Sequence, residues 1–435
     1  MSSFLRALLL AALAQCLSLA VSGNVAAGTT QKTLYSFCTA DACTDGLTPY
    51  SGITSDSAGN LYGVVEQNGG SLNEGLAYML KKQDRKYKFS VIYRFCQSDC
   101  SDGQQPSGTL VTDVDGNLYG VTSNAGVNNG GTIYKLEPNR TKTKWKEKTL
   151  YSFCLFCASG SEPVAGLTYQ GAQQGLPYDG KSPLYGVALY GGAKNGGVAY
   201  QLSFSGKQVN YTVLHDFCLD DSCADGKQPE SSLVMDADGN LFGTTRDGGN
   251  NNQPGGTVFE ISPNGSGFTT TTLYQFCQQT NCTDGKLPRG TLDVDAAGNI
   301  LGTTVQGGAN GIGTGTIFRL TRAHQSWAFK VIYDFCSAAN CTDGNQPQGA
   351  KLDSNGDLIG VTSYGGEHAN SGEGGTVFVL QGKSLTTLYS FCAKSACADG
   401  SNPVGVIALD TAGNVFGVTN SGGKNFFGSV FALTP

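Results

Sequence analysis

The sequence predicts an all-β fold, a seven-bladed β-propeller whose N-terminal strand completes the last blade. Three observations predict it. A unit of about 60 residues recurs seven times, glycine fills 62 of 435 positions against only 14% charged residues, and the two ends carry complementary strand sequences. A chain of this length exceeds one ordinary hydrophobic core, so it must be several domains or a repeat architecture. Glycine at that density without a collagen-like period marks tight turns rather than long helices. Tyr and Phe supply nearly all the aromatic residues, which suits strands.

The second copy shows the unit. Gly108-Thr-Leu-Val-Thr112 alternates as a first strand, Asp113-Val-Asp-Gly-Asn117 is a turn, and Leu118-Tyr-Gly-Val-Thr122 is a second strand. A Gly/Asn loop over 124–131 leads to a third strand, Thr132-Ile-Tyr-Lys-Leu136, and then a fourth, Lys148-Thr-Leu-Tyr-Ser-Phe153. Four short strands separated by turn signals make one propeller blade. The fourth-strand sequence Thr33-Leu-Tyr-Ser-Phe37 opens the repeat region, and the third-strand sequence Gly428-Ser-Val-Phe-Ala-Leu433 ends it. Pairing the two closes a ring and hides sheet edges, whereas an open solenoid would carry capping units.

Residues 1–23 read as an export signal, leaving 24–435 as the propeller. Arg6 gives a basic start, Leu8 to Ala14 begin an apolar run, and small residues follow at Val21-Ser22-Gly23, with Ala27 a second cleavage position. Leu13-Ala14-Gln15-Cys16 approaches a lipoprotein box, but Gln15 stands where that box needs a small residue. No second apolar stretch follows, so the expected protein is secreted, soluble, monomeric and without a membrane span. The net charge of −6 and the absence of a Lys/Arg run exclude sequence-independent nucleic-acid binding.

Cysteine agrees with export. Cys16 belongs to the signal, and the other fourteen fall into seven close pairs. These are Cys38 with Cys43, Cys96 with Cys100, Cys154 with Cys157, Cys218 with Cys223, Cys277 with Cys282, Cys336 with Cys341, and Cys392 with Cys397. An even count in regular pairs is a disulfide framework. Each small loop is worth about 2 kcal/mol in the chain-entropy model. Cys154-Leu-Phe-Cys157 has redox-motif spacing but lacks the strand-to-helix setting that activates a thiolate. His215, His324 and His368 occupy no recurring position, so neither a zinc site nor another metal or cofactor is expected.

The blocks Asp115-Gly-Asn-Leu-Tyr-Gly-Val-Thr122, Gly239-Asn-Leu-Phe-Gly-Thr-Thr245 and Gly255-Gly-Thr-Val-Phe259 resemble the bacterial GloVer tandem repeat, named for Gloeobacter and Verrucomicrobia. The resemblance covers nearly the whole chain after the signal. It implies an exported or surface-displayed repeat protein and brings no established reaction.

Connections from fourth to first strands share a propeller face with those from second to third strands. The Cys loops should therefore crowd one rim together with the Gly/Asn loops Asn68-Gly-Gly70, Asp247-Gly-Gly249 and Tyr364-Gly-Gly366. An Asp follows the Cys pair in six units: Asp45, Asp102, Asp225, Asp284, Asp343 and Asp399. As a circle near the channel mouth, with Tyr190 and Tyr364, these carboxylates form a candidate rim for a cation or polar ligand. An Asp-Gly turn bonding its own backbone is the simpler account. The turns at Asp113 to Asn117, Asp236 to Asn240 and Asp293 to Asn299 (the last with one extra residue) resemble a calcium loop, but no closing acidic ligand follows, and hairpin chemistry explains them.

Five sequons occur, at Asn139, Asn210, Asn264, Asn281 and Asn340; the first three lie near the outer third-to-fourth-strand connection. The last two sit inside Cys loops, where access is expected to be poor. The third unit departs from the others, with Ser161-Glu162 in place of Asp-Gly and an insertion over 170–183. No catalytic residue stands out: acids are spread evenly, His is scarce and no nucleophile elbow occurs. The reading is a lectin-like or adhesive extracellular binding protein for a glycan or protein partner, multivalent through its rim loops. A structural module of an extracellular layer and a polysaccharide-acting hydrolase or lyase are the alternatives.

Overall fold

The computed structural model describes residues 29–67, 74–84, 86–249, 255–265, 267–324, 326–369 and 373–435. The expected signal and the Asn68-Gly-Gly70 loop lie outside the described residues. Seven antiparallel sheets, one per unit, run in chain order from the axis outwards, except that the last takes its outermost strand from the N-terminal end of the repeat region. The fold is the predicted seven-bladed propeller. Among the described residues no helix is long and apolar enough to cross a membrane.

Blade 2 has strands at Gln104–Thr112, Leu118–Asn124, Asn129–Pro138 and Trp145–Cys154. Its first strand begins earlier than the alternation at 108–112 indicates, because Gln104 and Pro106 already pair with Asn124 and Thr122. Blade 3 keeps only Leu184–Ala188, Val198–Ser205 and Gln208–Asp216 as strands; its innermost segment contributes single bridges, Thr168 to Tyr185 and Ser161 to Tyr190. Blade 7 closes the ring: Thr30–Ser36 pairs antiparallel with Ser429–Thr434, the arrangement that the two ends predict.

The core lies in the seams rather than within blades. Seven apolar clusters each join two neighbouring blades, including blades 7 and 1. Each seam holds the Phe that precedes a Cys pair: Phe37, Phe95, Phe153, Phe217, Phe276, Phe335 and Phe391 are all fully buried. This explains why the unit keeps an aromatic residue there. Outer-strand rings add staples across seams, Tyr35 stacking on Phe89 at 3.7 Å and Tyr274 on Phe329 at 3.7 Å.

The glycine before each third strand and the proline of the next first strand form the other seam device. Gly428, with φ +90°, has no room for a Cβ, which would lie 2.3 Å from the Thr419 carbonyl oxygen and 2.7 Å from Pro49 Cδ. The same glycine–proline contact recurs as Gly75 with Pro106, Gly256 with Pro288 and Gly375 with Pro403. The residue before each proline donates its N–H across the seam, as from Thr48 to the Phe427 carbonyl at 2.8 Å and from Asn402 to that of Gly374 at 2.8 Å. The Gly and Pro of the unit are thus blade-to-blade fasteners.

Candidate functional site

All seven expected disulfides are formed: Cys38 to Cys43, Cys96 to Cys100, Cys154 to Cys157, Cys218 to Cys223, Cys277 to Cys282, Cys336 to Cys341, and Cys392 to Cys397. The loops that they close are more regular than the sequence suggests. In four blades the second cysteine ends a single 3-10 turn, at Asp41–Cys43, Thr280–Cys282, Ala339–Cys341 and Ser395–Cys397. Cys223 closes a loop of the same length without such a turn. The backbone at Cys43, Cys223, Cys282, Cys341 and Cys397 turns left-handed, with φ of 45–54°. That reversal aims the carbonyl of the second cysteine at the neighbouring loop of its own blade.

The Cys loops therefore do share a rim with the second-to-third-strand loops. The N–H groups of Gly126, Gly192, Gly249, Gly308, Gly366 and Gly423 donate to the carbonyls of Cys100, Cys157, Cys223, Cys282, Cys341 and Cys397, at 2.8–3.1 Å. The second cysteines are thus backbone anchors as well as bridge partners. Their role is in the rim's frame, and they are not ligand-bearing groups. Glu373, Cys392 and Cys397 also gather within 4.8 Å of one another, but both sulfurs are bridged and neither offers a thiolate to a metal.

The six aspartates do not form a circle at the channel mouth. Each tucks under its own Cys loop and faces outwards to the fourth strand. Asp102, Asp284, Asp343 and Asp399 accept the phenol O–H of Tyr93, Tyr274, Tyr333 and Tyr389 at 2.7–2.8 Å. Asp45 accepts from Tyr35, and Asp225 pairs with His215 at 2.9 Å. The remaining oxygen capacity goes to loop amides: Thr39 and Ala40 to Asp45, Gln278 and Gln279 to Asp284, Ser337 and Ala338 to Asp343. These carboxylates hold the rim together and leave little for a ligand. In blade 3 the equivalent pair is Ser159-Gly160, not Ser161-Glu162. Gly160 has φ +91° and donates to the Cys157 carbonyl, as Gly103, with φ +94°, does to Cys100.

The Tyr–Asp pairs set a pH dependence. Burial would raise the Asp45 carboxyl, but hydrogen bonds from Thr39, Tyr35 and the loop amides hold it below the ordinary carboxylate range. Burial, then the bond to Asp, pushes the phenols of Tyr35, Tyr93, Tyr274, Tyr333 and Tyr389 well above their ordinary value. A raised phenol contributes stability that is complete below about pH 10 and lost as pH rises through the folded value; the depressed Asp45 contributes above about pH 4 and loses this as pH falls. In an alkaline absorbance titration these five tyrosines should stay un-ionised past the ordinary range and ionise together with unfolding. Ionisation near pH 10 in a chain that stays folded would contradict the pairing.

The hairpin aspartates are equally engaged. Asp113 Oδ1 accepts the N–H of Asp115 and Asn117 at 2.9 and 2.8 Å, and its Oδ2 accepts the Asn117 amide at 2.7 Å. Asp236 and Asp410 repeat this arrangement. In blade 5 the turn begins at Asp295 rather than Asp293, so no extra residue is needed; Asp293 is buried and accepts the Leu352 N–H at 2.7 Å. Among the sequons, Asn139 and Asn264 are exposed and Asn210 is half-buried. Asn281 and Asn340 are exposed despite their place in the Cys loops, each with φ 58°.

The channel opens on the disulfide rim as a bowl of about 680 Å³, lined by residues from all seven blades. None of the six aspartates and not Tyr190 lines it; Tyr364 does. Tyr190 instead bridges to Ser161 beneath the rim. Blades 4 and 5 present charge: Glu230 sits between Arg289, whose Nε donates to it, and Arg246, 3.7 Å away. Blades 6, 7 and 1 present rings and amides: Tyr364 and Tyr50, 37% and 53% exposed, with Gln346, Gln348, Asn402 and Asn420. Asn420 Nδ2 is buried and finds no acceptor among the described residues. Burial pushes the Glu66 carboxyl up at the same mouth.

Most of these residues were not singled out from the sequence, yet it holds a signal for them. The position after the repeated proline reads Tyr50, Ser107, Val164, Glu230, Arg289, Gln348 and Val404. It is the same place in every unit, yet six different residues occupy it and only Val occurs twice. A position that the fold does not constrain is where a repeat can carry specificity.

The chain matches the family model described as the Gloeobacter/Verrucomicrobia repeat over residues 22–180, 168–372 and 271–435. No curated protein matches it. Among solved structures it is similar to the extracellular domain of a hybrid two component system of B. thetaiotaomicron, with a TM-score of 0.56 and 11% identity over 93% of this chain and 40% of that one. A second structure, the extracellular domain of a one component system of B. thetaiotaomicron, gives a TM-score of 0.54 and 12% identity over 92% and 39%. The chain therefore spans about two fifths of the length of those domains, and the similarity concerns the fold. The repeat matches together extend from residue 22 to the last residue, and the chain belongs to the Gloeobacter/Verrucomicrobia repeat family.

Proposed function

We propose that the protein is an extracellular binding protein that takes a carbohydrate at the disulfide-rim mouth of its channel. One observation carries this reading: exposed Tyr50 and Tyr364 rings share a bowl of about 680 Å³ with four side-chain amides. Flat rings stack on the apolar faces of sugars, and amides satisfy hydroxyls in both hydrogen-bonding senses. Seven disulfides and the export-type N-terminus support the compartment. The reading differs from a ring of equivalent rim pockets, since the mouth is a single bowl with unlike sides. A hydrolytic acid–base pair is disfavoured because Glu230 is held by two arginines.

A glycan screen on the non-reduced protein, with and without a chelator, tests this. Binding should be chelator-insensitive, because the rim and hairpin aspartates are already bonded. Tyr364→Ala and Tyr50→Ala should each weaken it by about fivefold to tenfold, the equivalent of about 1 kcal/mol of stacking. A hit that neither substitution changes places the ligand elsewhere. The same rim exposes Phe156, Ile312 and Phe426, which favours a protein partner as the second reading. That partner would lose affinity on Phe156→Ser or Phe426→Ser, with the tyrosine variants unaffected.

A further inference from the structure

We infer that the cleft between blades 2 and 3 is a second binding site, for an acidic sugar bearing carboxylate or sulfate groups. The cleft encloses about 410 Å³ and lies beside the 170–183 insertion, which the other units lack. The insertion is anchored, not loose. Tyr178 is fully buried with its ring edge-on to Tyr119 at 5.1 Å, its carbonyl accepts the Val114 N–H at 2.9 Å, and its O–H donates to the Ser182 carbonyl at 2.6 Å. That anchoring holds Lys181 at the cleft edge.

Three further lysines converge on the same space: Lys207 from the hairpin of blade 3, Lys148 from the outer strand of blade 2, and Lys135. Lys135 lies over the Tyr119 ring at 5.5 Å and pairs with Glu137 at 3.1 Å. The other nearby acids hold the backbone and keep their charge, Asp179 partly offsetting Lys181, so that four lysines face Glu137, Asp179 and Asp113. Asp179 accepts the N–H of Lys181 and Ser182 and the Ser182 hydroxyl at 2.7–2.8 Å, and Asp113 serves its own turn. Among the described residues no salt bridge engages Lys148, Lys181 or Lys207. A local excess of positive charge in a chain of net charge −6 is a departure that the fold does not require. Apolar surface from Leu150, Phe204 and Val209 completes the walls. Separated ammonium groups above an apolar floor suit a rigid body with anionic substituents rather than a bare ion, since lysines act as adjustable point charges.

The test measures binding of an oligogalacturonate and of a sulfated oligosaccharide to the full secreted protein. Wild type is compared with K181E/K207E, Lys148→Gln and Tyr364→Ala, with thermal melts as the folding control. At least one acidic probe should bind, and the better probe identifies carboxylate or sulfate as the group recognised. Binding should fall about tenfold in K181E/K207E and less in Lys148→Gln, weaken with salt, and be unchanged in Tyr364→Ala. Failure of both probes to bind, or retention of binding in a folded K181E/K207E protein, overturns the inference. Loss in Tyr364→Ala alone also overturns it, and assigns the acidic sugar to the channel mouth instead.

Discussion

Gly428→Ala should destabilise the protein by about 2–6 kcal/mol, combining strain at positive φ with overpacking. The added methyl would meet the Thr419 carbonyl oxygen at 2.3 Å and Pro49 Cδ at 2.7 Å, with φ at +90°. Neither neighbour is the end of a flexible side chain. One is backbone in the sheet of blade 7, and the other is a ring in the first segment of blade 1. Moving Pro49 away also stretches the adjacent bond from Thr48 N–H to the Phe427 carbonyl, so the cost falls on the seam that closes the ring. Gly356→Ala is the control, because Gly356 has φ +82° and nothing within 4 Å of its would-be Cβ. It should lose only about 1 kcal/mol, the cost of the backbone conformation alone. Urea unfolding of the two variants measures the difference. Equal losses would mean that the glycine–proline contact is not what holds glycine at this place in the unit.

The framework of this fold is legible because it is written seven times. A Cys pair, a Phe before it, a Gly before the third strand and a Pro after the loop recur at fixed places, and each turns out to serve a seam or a rim. What could not be read was which of two nearby residues carries a role when the motif is ambiguous. Asp293 and Asp295 both resemble the start of the blade 5 hairpin, and only the hydrogen bonds to Ala297 and Asn299 show that it is Asp295. Blade 3 posed the same difficulty, since its shorter Cys loop shifts the Asp-Gly position to Ser159-Gly160. The cysteines were legible as pairs, but the left-handed turn at Cys43, Cys223, Cys282 and Cys341 was not, because the residue before it follows no rule: Asn281 and Asn340 mark two of the loops, whereas Ala42 and Ser222 stand in the others. The aspartates of the rim illustrate a different limit. Their spacing is regular, but whether a carboxylate faces the axis or the outer strand depends on the path of a loop that no period encodes. Regularity there signalled structure, with Tyr93 and Tyr274 as the partners. The candidate site lies where regularity fails, at Tyr50, Glu230, Arg289 and Gln348, and its residues come together only once the ring is closed.

Removing residues 30–37 should abolish the folded ring, and reattaching them after Thr434 should restore it. The segment supplies the outer strand of blade 7 through its pairing with Ser429–Thr434, and Phe37 fills the seam between blades 7 and 1 with Leu34 and Tyr35 packed beside it. Losing Phe37 alone costs about 3–5 kcal/mol. With the strand gone, the total approaches the whole stability of a typical domain, about 5–15 kcal/mol. The exposed edge of Ser429–Thr434 would also invite pairing with other chains. A truncated protein should therefore aggregate or melt far below the full chain. The restoring variant follows from geometry: Thr30 already pairs with Thr434, and blade 6 joins its third and fourth strands by two residues between Gln381 and Ser384. A two-residue Asn-Gly turn from Thr434 to Thr30 would give blade 7 the connection its neighbours have, in a chain beginning at Cys38. Recovery of the cooperative melt would show that the strand acts through its place in the sheet and not through its place in the sequence. A truncated chain as stable as the original would show that the seam of blades 7 and 1 holds without it.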